Sequence, residues 1–205
     1  MTRREQGFTL VEVVIALTIV ATLLVIAFAG LRVGLASWQR GEERAQILER
    51  SRSVNQVVTR ALAGAYPYQT AAVGREAARL LFEGEPDRVG FATAVPPFPG
   101  APAIAFTAVS LSLAAAPAPG LALTQKALPN DKPFDPTLAP VFVDGSVSRI
   151  RFRYLREANG EWIDRWDASV ERSLPRSIEV TLTIVQAGRS VEQPPLIVPV
   201  PVTTS

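Results

Sequence analysis

With no Cys and no His among its 205 residues, the chain must build any reactive site chiefly from carboxylates, and almost every cation is Arg. That composition removes thiol nucleophiles, Ser-His-Asp triads, structural disulfides and the usual zinc and haem ligand sets. The most informative acid is Glu12, the one charge in an apolar run from Phe8 to Leu31. A carboxylate inside a membrane segment costs about 2.5–3.5 kcal/mol on insertion scales, so something must compensate it. Glu83, Glu85 and Asp87 form an acidic turn that could bind calcium, but they lack the spacing and the Gly of an EF-hand loop. Asp164, Asp167 and Glu171 are the acids available to a carboxylate-based glycosidase, which needs only two. Nothing in their spacing favours that chemistry. Arg149, Arg151 and Arg153 could face an acidic partner, and a solvated strand face is the favoured alternative. Trp162 and Trp166 fall on one side of an expected strand and read as core rather than as a ligand platform. The sequence therefore points to no catalytic residue, no cofactor and no resident metal.

The elements around these residues begin with the apolar run. At about 1.5 Å per residue it makes a helix of roughly 36 Å, enough to cross a hydrocarbon core of about 30 Å. Arg3 and Arg4 precede the run, which leaves Met1 to Gly7 in the cytoplasm and sends the rest across. A secretory signal has a shorter apolar region followed by a small-residue cleavage site, and a plain anchor leaves Glu12 unexplained. Removing the anchor leaves about 170 residues, enough for one domain with a real core. The 17 prolines favour loops, edge strands and a β-rich body. Net charge is +2, from 21 basic and 19 acidic residues dispersed along the chain, so there is no electrostatic footprint for nucleic acid.

Past Leu31 the helix is expected to continue to about Ala63, since Gly64 and Pro67 offer the first stop. Leu35, Trp38, Ala45, Leu48, Val54, Val58 and Leu62 recur at helical spacings, making this second half amphipathic. Strands are expected at Arg79–Phe82, Val89–Ala94, Ala105–Leu113, Leu121–Gln125, Val147–Leu155, Glu161–Trp166 and Ser177–Val185. Ile150, Phe152 and Tyr154 alternate with the arginines; Ile178, Val180, Leu182 and Ile184 alternate likewise. Asn159-Gly160 is a strong turn signal. Antiparallel pairing of these last three strands is the best-supported part of the body. Val95–Pro102 and Pro129–Pro140 read as surface loops, and Gln193–Ser205 as an edge strand or a loose tail.

Gly7-Phe8-Thr9-Leu10-Val11-Glu12 resembles the class III signal of type IV pilins and type II secretion pseudopilins. The resemblance implies that a prepilin peptidase cuts after Gly7 and methylates the new N-terminus, Phe8. Glu12 then becomes the fifth residue of the mature chain, the family's assembly charge, which pairs with the N-terminal amine of a neighbouring subunit. In the body, Leu81-Phe82-Glu83-Gly84, Val89-Gly90-Phe91, Ile150-Arg151-Phe152-Arg153-Tyr154, Gly160-Glu161-Trp162, Trp166 and Leu174-Pro175 resemble the J-type minor pseudopilins of type II secretion. Ala101–Pro140 and the tail match poorly.

This resemblance implies a pilin-like α+β fold, with a long N-terminal helix packed on an antiparallel sheet. Its parts would be a cleaved leader (1–7), a transmembrane helix (8–31), a periplasmic helical continuation (32–66) and a β-rich domain (67–205). The function it implies is structural: a subunit near the tip of the periplasmic pseudopilus that helps start assembly and supports secretion across the outer membrane. The implied partners are H-, I- and K-type minor pseudopilins, the major pseudopilin, the prepilin peptidase and the bacterial inner membrane. Alternatives are another minor pseudopilin, a minor type IV pilin or, from a different class, a membrane-anchored periplasmic enzyme or ligand-binding domain.

Overall fold

In a computed structural model of the chain, the described residues are 9–71, 78–99, 106–115, 118–186 and 188–201, without the side chains of 36–37 and 39–48. The leader, Gly7, Phe8 and the last four residues lie outside these, as do the side chains of Ala45 and Leu48. The chain divides into two compact units, Met1–Glu49 and Arg50–Ser205. Helix α1, Leu10–Ala63, runs through both. It ends where Gly64 and Pro67 lead the sequence to expect an end.

In the first unit, α1 is an isolated apolar helix. Leu17, Leu24, Val25 and Phe28 are all more than half exposed, and the stretch long and apolar enough to cross a membrane extends from Leu10 to Leu35. Its length comes from a run dominated by Leu, Ile, Val and Ala, which no Pro interrupts.

The second unit holds the last turns of α1 and two antiparallel sheets, where the sequence led us to expect one. The strands are β1 (Ala65–Tyr66), β2 (Phe82–Gly84), β3 (Arg88–Thr93), β4 (Thr107–Ala114), β5 (Gly120–Ala127) and β6 (Phe142–Asp144). They continue with β7 (Val147–Leu155), β8 (Trp162–Ile163), β9 (Trp166–Asp167), β10 (Ser177–Gln186), β11 (Arg189–Glu192) and β12 (Leu196–Pro199). A short helix, α2 (Ala168–Glu171), follows β9. The larger sheet has the order β6-β5-β4-β3-β2-β9, with β1 also on β3; the smaller has β11-β10-β7-β8, with β12 also on β10. Val54, Val58, Ala61 and Leu62 of α1 share one core with Phe91, Val109, Leu111 and Leu123 of the larger sheet. Ile150, Phe152, Ile178 and Leu182 of the smaller sheet belong to the same core. The later part of the amphipathic stripe is thus the seam that closes the domain.

The pair β7–β10 follows the alternation read from the sequence, with Phe152 opposite Val180 and Ile150 opposite Leu182. The register shifts between Thr183 and Ile184, whose partners are Arg149 and Val147. Ser148 is the extra residue, which is why Val147 and Ile150, three apart, both face inward. Strands β11 and β12 line one edge of β10 in succession. Gln193, Pro194 and Pro195 separate them, and prolines cannot donate to a ladder. The C-terminal segment is therefore an edge strand, as one of its two expected forms.

Three expectations need correction. The acidic turn is shorter than expected, because Glu83 and Gly84 belong to β2, which pairs with Phe91 to Val89. Glu161–Trp166 is not one strand: Trp162 and Ile163 pair with β7, whereas Trp166 pairs with Gly84 of the other sheet. The chain changes sheets at Asp164-Arg165, so the two tryptophans do not share a side. The Pro129–Pro140 loop is not wholly superficial either, since Phe134 packs against Leu81, Ala92, Ala108 and Leu128.

Candidate assembly segment and the charged sites of the body

Glu12 lies in the first turn of α1, three residues after Thr9. Its backbone N–H donates to the Thr9 carbonyl at 3.1 Å and reaches the Thr9 hydroxyl at 3.4 Å. Thr-x-x-Glu is the pattern of a capping box, in which the helix start satisfies its own unpaired donors. A carboxylate in the first turn also meets the positive end of the helix dipole, worth about 0.3–1 kcal/mol near a surface. The Glu12 side chain is exposed. Part of the compensation it needs is thus local, and the sequence reading missed this although Thr9 and Glu12 were both in view. Farther along, the Thr18 and Thr22 hydroxyls donate to the carbonyls of Val14 and Thr18, each at 2.7 Å. Neither hydroxyl needs water, which suits an apolar solvent.

In the acidic turn, Glu83 and Glu85 are each engaged by an arginine. Glu83 lies 3.6 Å from Arg88, and Glu85 lies 2.7 Å from Arg165. The acidic turn also works through its backbone. The Phe152 N–H donates to the Pro86 carbonyl at 2.8 Å, and the Tyr154 hydroxyl donates to the Glu85 carbonyl at 2.8 Å. The turn thereby clasps β7 to the end of β2. Burial pushes the Tyr154 hydroxyl well above its ordinary pKa, with Glu85 and Asp87 adding to the effect. Tyr154 thus stays a neutral hydrogen-bond donor. Among the described residues, no three acids converge as a metal site.

The other three acids each engage a different partner. Asp164 bridges Arg151 at 3.3 Å and Arg153 at 3.5 Å. Asp167 caps α2, accepting from the Ser169 N–H at 2.8 Å and the Ser169 hydroxyl at 2.6 Å. Those hydrogen bonds hold its carboxyl below the usual value. Glu171 is 2.6 Å from Arg156, which also meets Glu161 at 3.1 Å.

Arg153 further contacts Glu179 at 3.5 Å and lies 6.0 Å from the centre of the Trp162 ring. The arginine face of β7 is thus a solvated ladder, with Arg151 and Arg153 paired to the protein's own acids. Trp166 is 3% exposed, and its indole N–H donates to the Ser173 carbonyl at 2.9 Å. It is core. Trp162 is only half-buried at the sheet edge.

Two contacts escaped the sequence reading. Arg50 meets Asp144 at 3.5 Å, and the Ser51 hydroxyl meets Gln193 at 3.1 Å. They fasten the helix turn that opens the second unit to the β6–β7 turn and to the break between β11 and β12. The only available signal was Asp144-Gly145 as a turn, and that carries no information about the helix.

Comparison with known proteins divides the chain at nearly the same place as its apolar pattern. A family described as "Prokaryotic N-terminal methylation motif" matches residues 2–28, which include Gly7, Phe8 and Glu12. A family described as "Type II secretion system (T2SS), protein J" matches residues 29–193. Among curated proteins, the type II secretion system protein J of Xanthomonas campestris pv. campestris is 41% identical over 100 residues. That alignment covers 49% of this chain and 47% of the relative, so the match spans about half the length of each.

Proposed function

The chain belongs to the type II secretion system protein J family, and from that membership we propose that it serves as a minor pseudopilin at the tip of the periplasmic pseudopilus. In this reading residues 1–7 are a leader, 8–31 are the core of the anchor, and 32–66 continue the helix in the periplasm. Residues 67–205 are the domain exposed there. A prepilin peptidase hydrolyses the Gly7–Phe8 bond on the cytoplasmic side and methylates the amine released on Phe8. Phe8 to Leu31 then acts as a temporary anchor that later becomes part of a fibre core. Glu12 is the charge that selects the amine of a neighbouring subunit as the helices come together. H-, I- and K-type minor pseudopilins and the major pseudopilin are the partners of this assembly, which supports protein transport across the outer membrane.

One observation carries this reading: a methylation motif at residues 2–28 runs directly into the protein J family at 29–193 on the same chain. The role is packing rather than catalysis. Glu83, Glu85, Asp164 and Glu171 pair with arginines and Asp167 caps a helix, which supports a structural subunit over an anchored glycosidase.

The deciding measurement is the intact mass of the chain after expression with a prepilin peptidase. We expect a chain that begins at N-methylated Phe8. An intact Met1, or cleavage near Ala36, would overturn the assignment of the leader and of its processing site.

A further inference from the structure

We infer that Glu12 and Arg32 bracket the hydrocarbon layer of a bilayer and that Trp38 docks in the headgroup layer beyond Arg32, fixing the depth of α1. The inference rests on the membrane-anchor reading and adds a register to it. Glu12 and Arg32 are the charges flanking residues 13–31, where the polar side chains are Thr18 and Thr22 alone. Both of those hydroxyls are already satisfied by helix carbonyls. The twenty positions from Glu12 to Arg32 rise about 30 Å along a helix, which equals the typical hydrocarbon thickness of about 30 Å. Both charges reach an interface together only when the helix stands near the bilayer normal. Tilting it by about 40° would shorten that projection to roughly 23 Å and draw one charge into the lipid tails.

Trp38 follows Arg32 by six positions, or about 9 Å of rise. Helical side chains lean toward the N-terminus, so the indole leans back from its Cα toward the membrane. That puts it in the headgroup zone, which adds about 5–8 Å on each side of the hydrocarbon. Trp38 is 74% exposed, whereas Trp166 is 3% exposed in the domain core. A large, bare indole on a helix just past an apolar span is the side chain that membrane interfaces collect, apolar in body and with one N–H to solvate.

This register also changes the standing of Glu12 before assembly. Its carboxylate stays at the water boundary while Arg32 stays at the other. The expense of a charge in lipid is then avoided in the membrane rather than offset there.

The test is depth-dependent quenching of tryptophan emission in the full-length chain. It uses phosphatidylethanolamine–phosphatidylglycerol vesicles with spin labels either near the headgroup or at the chain end. Subtracting the emission of Trp38→Phe isolates Trp38 from Trp162 and Trp166. We expect the Trp38 emission to lose more to the headgroup-proximal label than to the chain-end label. A companion chain with Trp38→Phe and Leu23→Trp reports the middle of the span and should lose most to the chain-end label. If the companion behaves so while Trp38 is quenched by neither label, or more by the deep one, the register is overturned and the anchor stands. If the companion escapes the deep label too, the anchor reading falls and the register falls with it.

Discussion

Gly84→Ala tests how the two sheets are joined. A Cβ built on Gly84 would lie 2.6 Å from Tyr154 Cζ and 2.7 Å from Trp166 Cβ. Real contacts of this kind stand well beyond 3 Å, so something has to move. Tyr154 is fully buried between sheets, and its hydroxyl is held by the Glu85 carbonyl. Trp166 is pinned by its indole bond to Ser173 and by pairing with Gly84 itself. Overpacking a fixed site costs about 1–3 kcal/mol. Losing the tyrosine hydrogen bond as the ring retreats adds about 1 kcal/mol. A total near 3 kcal/mol lowers the melting temperature of a domain this size by about 6–12 °C. The assay is thermal unfolding of the full chain in detergent, followed by near-ultraviolet circular dichroism. Gly145→Ala is the control, since its Cβ would be 3.4 Å from the Pro119 carbonyl, an ordinary contact at the edge of tight. Adding Tyr154→Leu should open room, so Gly84→Ala should cost clearly less in that background. A melting temperature for Gly84→Ala equal to that of the control would refute the claim that Tyr154 and Trp166 are rigidly held against β2.

Asp167→Ala should melt below the wild-type chain at pH 7. Because hydrogen bonds from Ser169 depress the native pKa of Asp167 below 3.8, the stability it supplies is present above the unfolded-state pKa. It is lost as pH falls through the native one, so the two melting curves should converge in acid. Asp164→Ala, by contrast, breaks contacts to Arg151 and Arg153 that are mostly solvent-exposed; chemical denaturation should register a loss of no more than about 1 kcal/mol, shrinking with added salt. Glu12→Ala and Glu12→Gln should both enter the membrane as well as the wild type. Both should be impaired in co-purification with assembled pseudopili under the proposed function.

Much of the smaller sheet was legible because each of its long strands has one buried face. Ile150–Leu155 and Ser177–Thr183 alternate strictly enough that a slip by one residue would bury Arg151 or Thr181. The end of α1 was legible for a different reason: Gly64 and Pro67 stop a helix whatever surrounds it. What alternation cannot reveal is which sheet a strand joins. Trp162 and Trp166 are four residues apart, yet their partners are Leu155 and Gly84. Gly84, the partner of Trp166, is far away in the sequence, so local alternation carries no trace of it. Phe134 was hidden by its company. The prolines around it mark a loop correctly, but a loop can still lend one ring to a core, and here Gly90 leaves room for that ring against the sheet. The contact of Thr9 with the Glu12 N–H was missed because the apolar run invites a question about lipid, and Thr9 answers a question about helix ends.

Whether Glu12 works as a helix cap or as a charge is decided by the pair Ala and Gln. Glutamine keeps the capping-box pattern, since Glu and Gln serve equally at that position. It discards the negative charge. If the cap were the whole role, Glu12→Gln would behave as wild type and only Glu12→Ala would suffer, by the modest cost of a frayed first turn. The proposed assembly would place a heavier demand on the residue. If helices close around it, the interfacial water that the inferred register gives the carboxylate would be replaced by apolar side chains, and an ion there needs a counter-ion. Breaking a buried pair by removing one partner costs about 3–5 kcal/mol, several times the value of a cap. The assembly reading therefore requires Gln to fail nearly as badly as Ala, because either one strands the neighbouring amine. Equal incorporation of the Gln variant and the wild type would reduce Glu12 to a helix-start residue held at the membrane surface.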